Sequence, residues 1–318
     1  MATSNQTQKS TDPASVEGSL STWGQLAAYL LDVKARQTWI AGAASYTEWV
    51  KECAKRLSRT EASLWRCISS GRFYRGRAES FAKRGTALPD LPQLPPAVSS
   101  ESLELLAKIC RIAPPELIAD IELKALEGKI ARGDLRAIWE TYRPVLKGRT
   151  ARGRNAEAPS FDERDPSQRD DRAEADSIMA LRKAGPAWTG HPDATYYGVF
   201  PMDHPLLPRQ FRDIGLDVVV FVKPKARDIA ELHGVTHRSL EQLPAPFQSP
   251  LMQSVDWAWV AVLGEDKPDL ACVPMELGVL STESGVVRVG RRPLSTDCEP
   301  SVVRDHLIRA LLLRTLTA

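Results

Sequence analysis

Residues 45–77 read SYTEWVKECAKRLSRTEASLWRCISSGRFYRGR. This stretch carries two helical patterns separated by only a few residues. Ser45-x-x-Glu48 and Ser58-x-x-Glu61 both have the capping-box form, in which a serine oxygen and a glutamate satisfy free N–H groups of a first turn. The first helix is expected to bury Trp49, Val50, Cys53, Ala54 and Leu57. The second is expected to bury Ala62, Trp65 and Ile68, beyond a short turn at Leu57-Ser58. Two helices joined so closely predict a helix-turn-helix, the unit that lays its second helix in the DNA major groove. On that reading Arg59, Thr60, Ser63 and Arg66 face outward from the first turns of the second helix, the part that meets base edges. Arginine can take guanine through two hydrogen bonds, and serine or threonine can reach several base edges. Arg72, Tyr74, Arg75, Arg77, Lys83 and Arg84 extend the basic surface and suit phosphates.

Charge points the same way. The 318 residues carry a net +2, which hides an asymmetry. Residues 1–155 hold 24 Lys+Arg against 16 Asp+Glu, a net of +8; the remainder holds 18 against 24, a net of −6. Within 45–86 there are 10 basic and 4 acidic residues. The first half is therefore the polyanion-facing half.

The length suggests about two domains. Residues 1–20 are polar and read as a disordered tail. A helix is expected from Thr22 to Lys34, and the helix-turn-helix domain occupies 21–86. ALPDLPQLPPAV (87–98) reads as a proline-rich linker. A small helical cluster follows at 99–146: SSESLELLAKICRIA, then ELIADIELKALEG with Pro115 in its first turn and Gly128 as its stop, then LRAIWETYR with Asp134 as its cap. Residues 147–175 are almost free of large apolar side chains and read as a disordered charged linker, with Arg152-Gly153-Arg154 at its centre. From 176 to 318 the pattern turns to short β-branched and aromatic runs: TYYGVF (195–200), LDVVVFV (216–222), DWAWVAVL (256–263), ACVP (271–274) and GVVRVG (285–290). Helices near 174–184 and 301–317 bracket them. The fold class is α+β multidomain: an all-α first part, then an α/β domain with a central mixed sheet.

Other chemistry is sparse. Cys53, Cys67, Cys110, Cys272 and Cys298 have neither zinc nor redox spacing and fit core thiols in a reducing compartment. No nucleophile elbow, P-loop or dinucleotide fingerprint occurs. His191 and Asp193 fit a turn, and His204, His233, His237 and His306 have no ligand spacing. Trp257 and Trp259 read as packing residues. The start lacks the apolar core of a secretory signal, and no apolar run approaches the ~20 residues of a bilayer span. The expectation is a cytoplasmic, nucleoid-associated protein with no membrane contact and no cofactor.

Two resemblances extend the reading. LSRTEASLWRCISSGRFY resembles the helix-turn-helix of ParB/KorB-type partition and plasmid-regulatory proteins, over roughly 45–85 with a weaker extension to about 146. This implies double-stranded DNA as partner and a transcriptional, plasmid or mobile-element setting. The arginine-rich nucleotide-binding box of full ParB proteins has no counterpart, so clamp behaviour is not implied. The second part resembles, more faintly, the PD-(D/E)XK nuclease (restriction-endonuclease-like) fold, especially its small MmcB-like members. The match runs through Asp217, Gly234-Val235-Thr236-His237-Arg238 and Val255-Asp256-Trp257-Ala258-Trp259. That resemblance puts Thr236 at the acid position and Arg238 at the lysine position. Threonine offers no charge to a hard cation, and arginine stays protonated. A second register keeps Lys223 but again lacks the acid. The leading expectation is a sequence-specific DNA-binding homodimer whose second part is a non-catalytic dimerisation or partner module. The alternatives are a metal-dependent endonuclease and a protein-interaction adaptor that never meets DNA.

Overall fold

The computed structural model describes residues 20–147, 158–202, 215–227, 229–239, 255–263, 270–283, 285–294 and 308–309. The expected tail (1–19), the Arg152-Gly153-Arg154 run, His204, Cys298, His306 and most of the closing helix lie outside the described residues. The chain divides into two compact units, Met1–Phe161 and Asp162–Ala318. The architecture is α+β. Among the described residues, no helix is long and apolar enough to cross a membrane.

The first unit is all helical. Its elements are α1 (Trp23–Ala35), α2 (Tyr46–Arg56), α3 (Glu61–Lys83), α4 (Ser100–Ile109), α5 (Pro115–Leu126) and α6 (Arg132–Tyr142). Each starts where a local signal permits. Thr22 and Gln25 form a reciprocal capping box on α1, and Ser99 caps α4. Pro115 sits in the first turn of α5, and Gly128 follows that helix with φ +74°, a conformation glycine adopts freely. α6 departs from expectation: Ala131 stands at its N-cap, and Asp134 lies one turn inside. There the carboxylate meets the positive end of the helix without capping it.

Residues 87–98 are not a free linker. Leu91 and Val98 are buried. The Trp23 indole N–H donates to the Val98 carbonyl at 2.7 Å, and the Tyr74 hydroxyl donates to the Pro89 carbonyl at 2.7 Å. Gly24 makes this possible, since a Cβ there would fall 2.1 Å from the Leu91 carbonyl oxygen. The segment thus ties α1, α3 and α4 into one core that includes Leu26, Leu30, Leu64, Ile68, Leu103, Leu106 and Ile109.

Among the described residues, the second unit packs a long helix on a six-stranded sheet. α7 (Pro166–Ala184) is capped by Asp165, whose carboxylate accepts from the Ser167 N–H, so it begins inside the stretch expected to be linker. The strands are β1 (Thr195–Pro201), β2 (Val218–Lys223), β3 (Glu231–Ser239), β4 (Trp257–Leu263), β5 (Gly278–Glu283) and β6 (Val286–Arg291), in the order 1-2-3-4-5-6. The pairs β3–β4 and β4–β5 are parallel; the rest are antiparallel. β3 and β5 were not among the strands expected from the β-branched and aromatic runs, although the nuclease resemblance sets 234–238 at the end of a strand; ACVP (271–274) is not a strand, Leu270–Cys272 forming a short 3-10 turn.

Both sheet faces are covered, which explains the unbroken apolar run Val218–Val222. Val218, Val220, Val222, Val235, Trp259 and Ala261 share one cluster with Ile178 and Leu181 of α7. Val219, Phe221, Leu232, Ala258, Val260 and Val262 form the opposite cluster. Gly278 pairs with Trp259 across β4 and β5, and a Cβ there would stand 2.3 Å from the indole ring.

Candidate nucleic-acid interface

The turn between α2 and α3 is built by a left-handed residue. Ser45 caps α2, its hydroxyl accepting from the Glu48 N–H at 3.1 Å, while the Glu48 carboxylate accepts from the Ala44 N–H. At the other end Ser58 takes φ +51°, its N–H donates to the Lys55 carbonyl, and the Arg59 N–H reaches back to the Ala54 carbonyl at 2.9 Å. These are the two bonds of a Schellman stop. Ser58 therefore terminates α2 and cannot cap α3. That role falls to Thr60, whose hydroxyl accepts from the Ser63 N–H at 3.2 Å. The expected capping box at Ser58 is corrected by two residues.

The pair rests on an aromatic cluster. Tyr46 stacks on Trp49 with ring centres 5.8 Å apart and meets Trp65 edge-on at 6.1 Å; Trp39 and Tyr29 complete the contacts. The Tyr46 hydroxyl donates to the Leu30 carbonyl, fixing α2 to α1. The buried stripe of α3 is Leu64, Cys67, Ile68, Gly71 and Tyr74. It is turned from the expected one: Ala62 is exposed and Trp65 half-buried.

The structure sorts the expected DNA-facing residues into three groups. Arg59 and Thr60 are exposed at the start of α3, with Ser63 half-buried beside them. Arg66, Arg75 and Arg77 are engaged within the protein. Arg66 pairs with Glu104 at 3.0 Å and Glu101 at 3.6 Å, Arg75 with Asp32 at 2.9 Å, and Arg77 with the buried Glu122 at 2.8 Å. Tyr74 is 1 % exposed and sits in the core, so it cannot reach a phosphate. Arg72, Lys83 and Arg84 remain on the surface. The guanidinium of Arg84 lies over the Phe81 ring at 4.1 Å.

A groove of about 890 Å³ runs between α3 and α4. Its cations are Arg66, Arg72, Arg77, Lys108 and Arg111, and its half-buried rings are Trp65 and Phe73. Sequence reasoning missed this feature. Its signal was Lys108 near the end of α4 and Arg111 just beyond it, read only as part of a bundle.

In the second unit the residues named by the nuclease resemblance do meet. The Asp217 carboxylate accepts from the Thr236 hydroxyl at 3.2 Å and from the His237 backbone N–H at 2.6 Å. Burial pushes the Asp217 carboxyl up, but hydrogen bonds from His237 and Thr236 outweigh it and hold the group below its ordinary value. His237 Nε2 lies 3.1 Å from the Ser177 hydroxyl, and its Nδ1 lies 3.6 Å from Asp217 and 4.0 Å from Glu174. The order Ser177, His237, Asp217 matches a charge relay, but Ser177 is fully buried within α7 and closed to substrate.

β3 also carries Glu231 and His233 on the face toward α7. The Glu231 carboxylate accepts from the Trp257 indole at 2.9 Å, pairs with Arg227, and lies 3.4 Å from His191. Burial pushes Glu231 up, yet hydrogen bonds from His233 and Trp257 and the charge of Arg227 bring it down to about 2. His233 Nδ1 accepts from the Trp259 indole at 3.1 Å, which places its proton on Nε2, 3.5 Å from Glu231; burial keeps the ring neutral. The period-two spacing Glu231-x-His233-x-Val235-x-His237 was the unread signal for this buried polar seam. Among the described residues, no three His, Cys, Asp or Glu side chains gather in a way that could hold a metal ion. Comparison of the chain with family models, curated proteins and solved structures finds no match.

Proposed function

We propose that the protein is a sequence-specific binder of double-stranded DNA, acting as a transcriptional, plasmid or mobile-element regulator of the ParB/KorB helix-turn-helix kind. The observation that carries the reading is the start of α3. Arg59 and Thr60 project from a rigid four-residue turn, at the helix end whose dipole favours phosphate. The aromatic cluster joins α2 to α1 and to α3, which gives the turn between α2 and α3 the rigid support that a reading head needs. Base contacts fall to Arg59, Thr60 and Ser63, and Arg66 joins them only by leaving Glu104. The second unit serves as the homodimerisation or partner module, with Asp217 spent on its own backbone and side-chain neighbours.

The test is selection of bound fragments from random genomic DNA, followed by anisotropy titrations on the selected duplex across a salt series. Affinity should fall steeply with salt, as phosphate contacts require. Arg59→Ala should weaken the selected duplex by about 1–3 kcal/mol and random duplex by less. Equal loss on both places Arg59 on a phosphate, and flat, negligible binding at low salt refutes the reading.

A further inference from the structure

The groove between α3 and α4 has a chemistry of its own, separate from the exposed turn. Small residues, Ala62, Ser69, Gly76 and Ala107, line it beside the half-buried rings of Trp65 and Phe73, and the Arg77 guanidinium lies over the Phe73 ring at 5.5 Å. A Cβ on Gly76 would meet nothing within 4 Å. Along α3, Trp65 and Phe73 are eight residues apart, about 12 Å at the helical rise, which spans about three base-stacking intervals of ~3.4 Å. Cations line both walls: Arg66, Arg72 and Arg77 from α3, Lys108 from α4 and Arg111 from the turn that follows it. The single lining carboxylate, Glu104, is already held by Arg66 and Lys108, and the Lys108 hydrogen bond lowers its carboxyl from the ordinary value. Arg72 and Arg111 make no ion pair with any described residue and are exposed.

The walls belong to elements packed directly on each other, so the groove is a cleft of about 890 Å³ along their packing line, on the scale of a short single strand. Cations along a track that also carries two aromatic rings about 12 Å apart make the combination that holds single-stranded nucleic acid without reading sequence. We propose that the α3–α4 groove binds a single nucleic-acid strand of about four nucleotides, its bases against Trp65 and Phe73 and its phosphates against Arg72 and Arg111. This surface would let a duplex-bound protein hold an unpaired strand, but the inference does not depend on duplex binding.

The full chain is titrated into fluorescein-labelled dT12, into an abasic oligomer of the same length, and into a 12-base-pair duplex. For dT12, binding weakens with salt, tryptophan fluorescence is quenched in the wild type but not in Trp65→Phe, and the abasic oligomer binds at least fivefold more weakly. The double variant Arg72→Glu/Arg111→Glu, at exposed positions that do not threaten the fold, loses dT12 at least tenfold and keeps the duplex. Arg59→Glu does the reverse, so failure of the groove and failure of the exposed turn are distinguishable. The proposal is overturned by absence of dT12 binding at low salt, by equal affinity for the abasic oligomer, by a duplex or polyglutamate that displaces dT12 equally well, or by a double variant that still binds dT12 like the wild type.

Discussion

Replacing Tyr74 by Phe separates a structural residue from a DNA contact. The sequence puts Tyr74 in a basic run, where it reads as a phosphate ligand. The structure buries its ring and gives its hydroxyl to the Pro89 carbonyl at 2.7 Å. Phe fills the same volume, so the packing term is conserved and the loss is one hydrogen bond, about 1 kcal/mol. For a unit of 161 residues that is a drop in melting temperature of about 2–4 °C, with an unchanged urea slope. Alkaline pH adds a second readout. Burial, aided by the charge of Asp90, pushes the Tyr74 hydroxyl from 10.0 up to about 12. A buried acid with a raised value favours its neutral form, so the wild type loses stability as pH rises through the unfolded value of 10.0 toward 12. Each unit of that window removes about 1.4 kcal/mol, and the variant has no such group to lose. The variant should therefore be the less stable protein at pH 7 and should draw level near pH 11. Urea melts at pH 7, 10 and 11, beside duplex anisotropy at pH 7, test this. Unchanged stability at pH 7 combined with weakened DNA binding would refute the burial argument, and so would a deficit that stays constant to pH 11.

Three further outcomes follow from the same geometry. Ser58→Gly should stabilise the first unit by up to about 1 kcal/mol in a urea melt, because the position holds φ +51°, which glycine adopts without strain. Gly278→Ala should destabilise the second unit by about 1–3 kcal/mol, since the new Cβ falls on the rigid Trp259 ring; thermal denaturation reads the loss. Glu231 has its value lowered from 4.5 to about 2, so its stabilisation is complete above pH 4.5 and is lost as pH falls toward 2; Glu231→Gln should flatten that acid limb of the stability profile, measured by urea titration between pH 2 and 6.

How much of this was legible depended on how local the signal was. Ser45, Pro115, Gly128 and the run Val218–Val222 act through neighbours within a turn or a strand, and the elements they announce are present. The start of α3 was misjudged because LSRTEAS offers two hydroxyls, and the choice lies with α2. Once Ser58 is used in the left-handed stop, only Thr60 is free to cap. The proline-rich 87–98 was misjudged for a different reason. Proline forbids helix but says nothing about docking, and docking came from Leu91, Val98 and the donors Trp23 and Tyr74, far apart in sequence. β3 was missed because its inward positions hold Glu231, His233 and His237, and polar residues at period two look like an exposed strand unless their partners are known.

The same distinction bears on where a polyanion can touch the first unit. A count of basic residues treats every arginine on α3 alike, yet an ion pair within the protein must be broken before its arginine can serve a phosphate. Arg66, Arg75 and Arg77 each carry that cost, and for Arg77 it includes leaving the buried Glu122 uncompensated, which is the costlier half of breaking such a pair. Arg59, Arg72 and Arg111 do not. They lie at two places, the exposed turn at the start of α3 and the groove beside α4, so the basic charge of the first unit resolves into two separate surfaces. On the proposals made above, the turn is the surface offered to a duplex and the cleft the surface offered to a single strand.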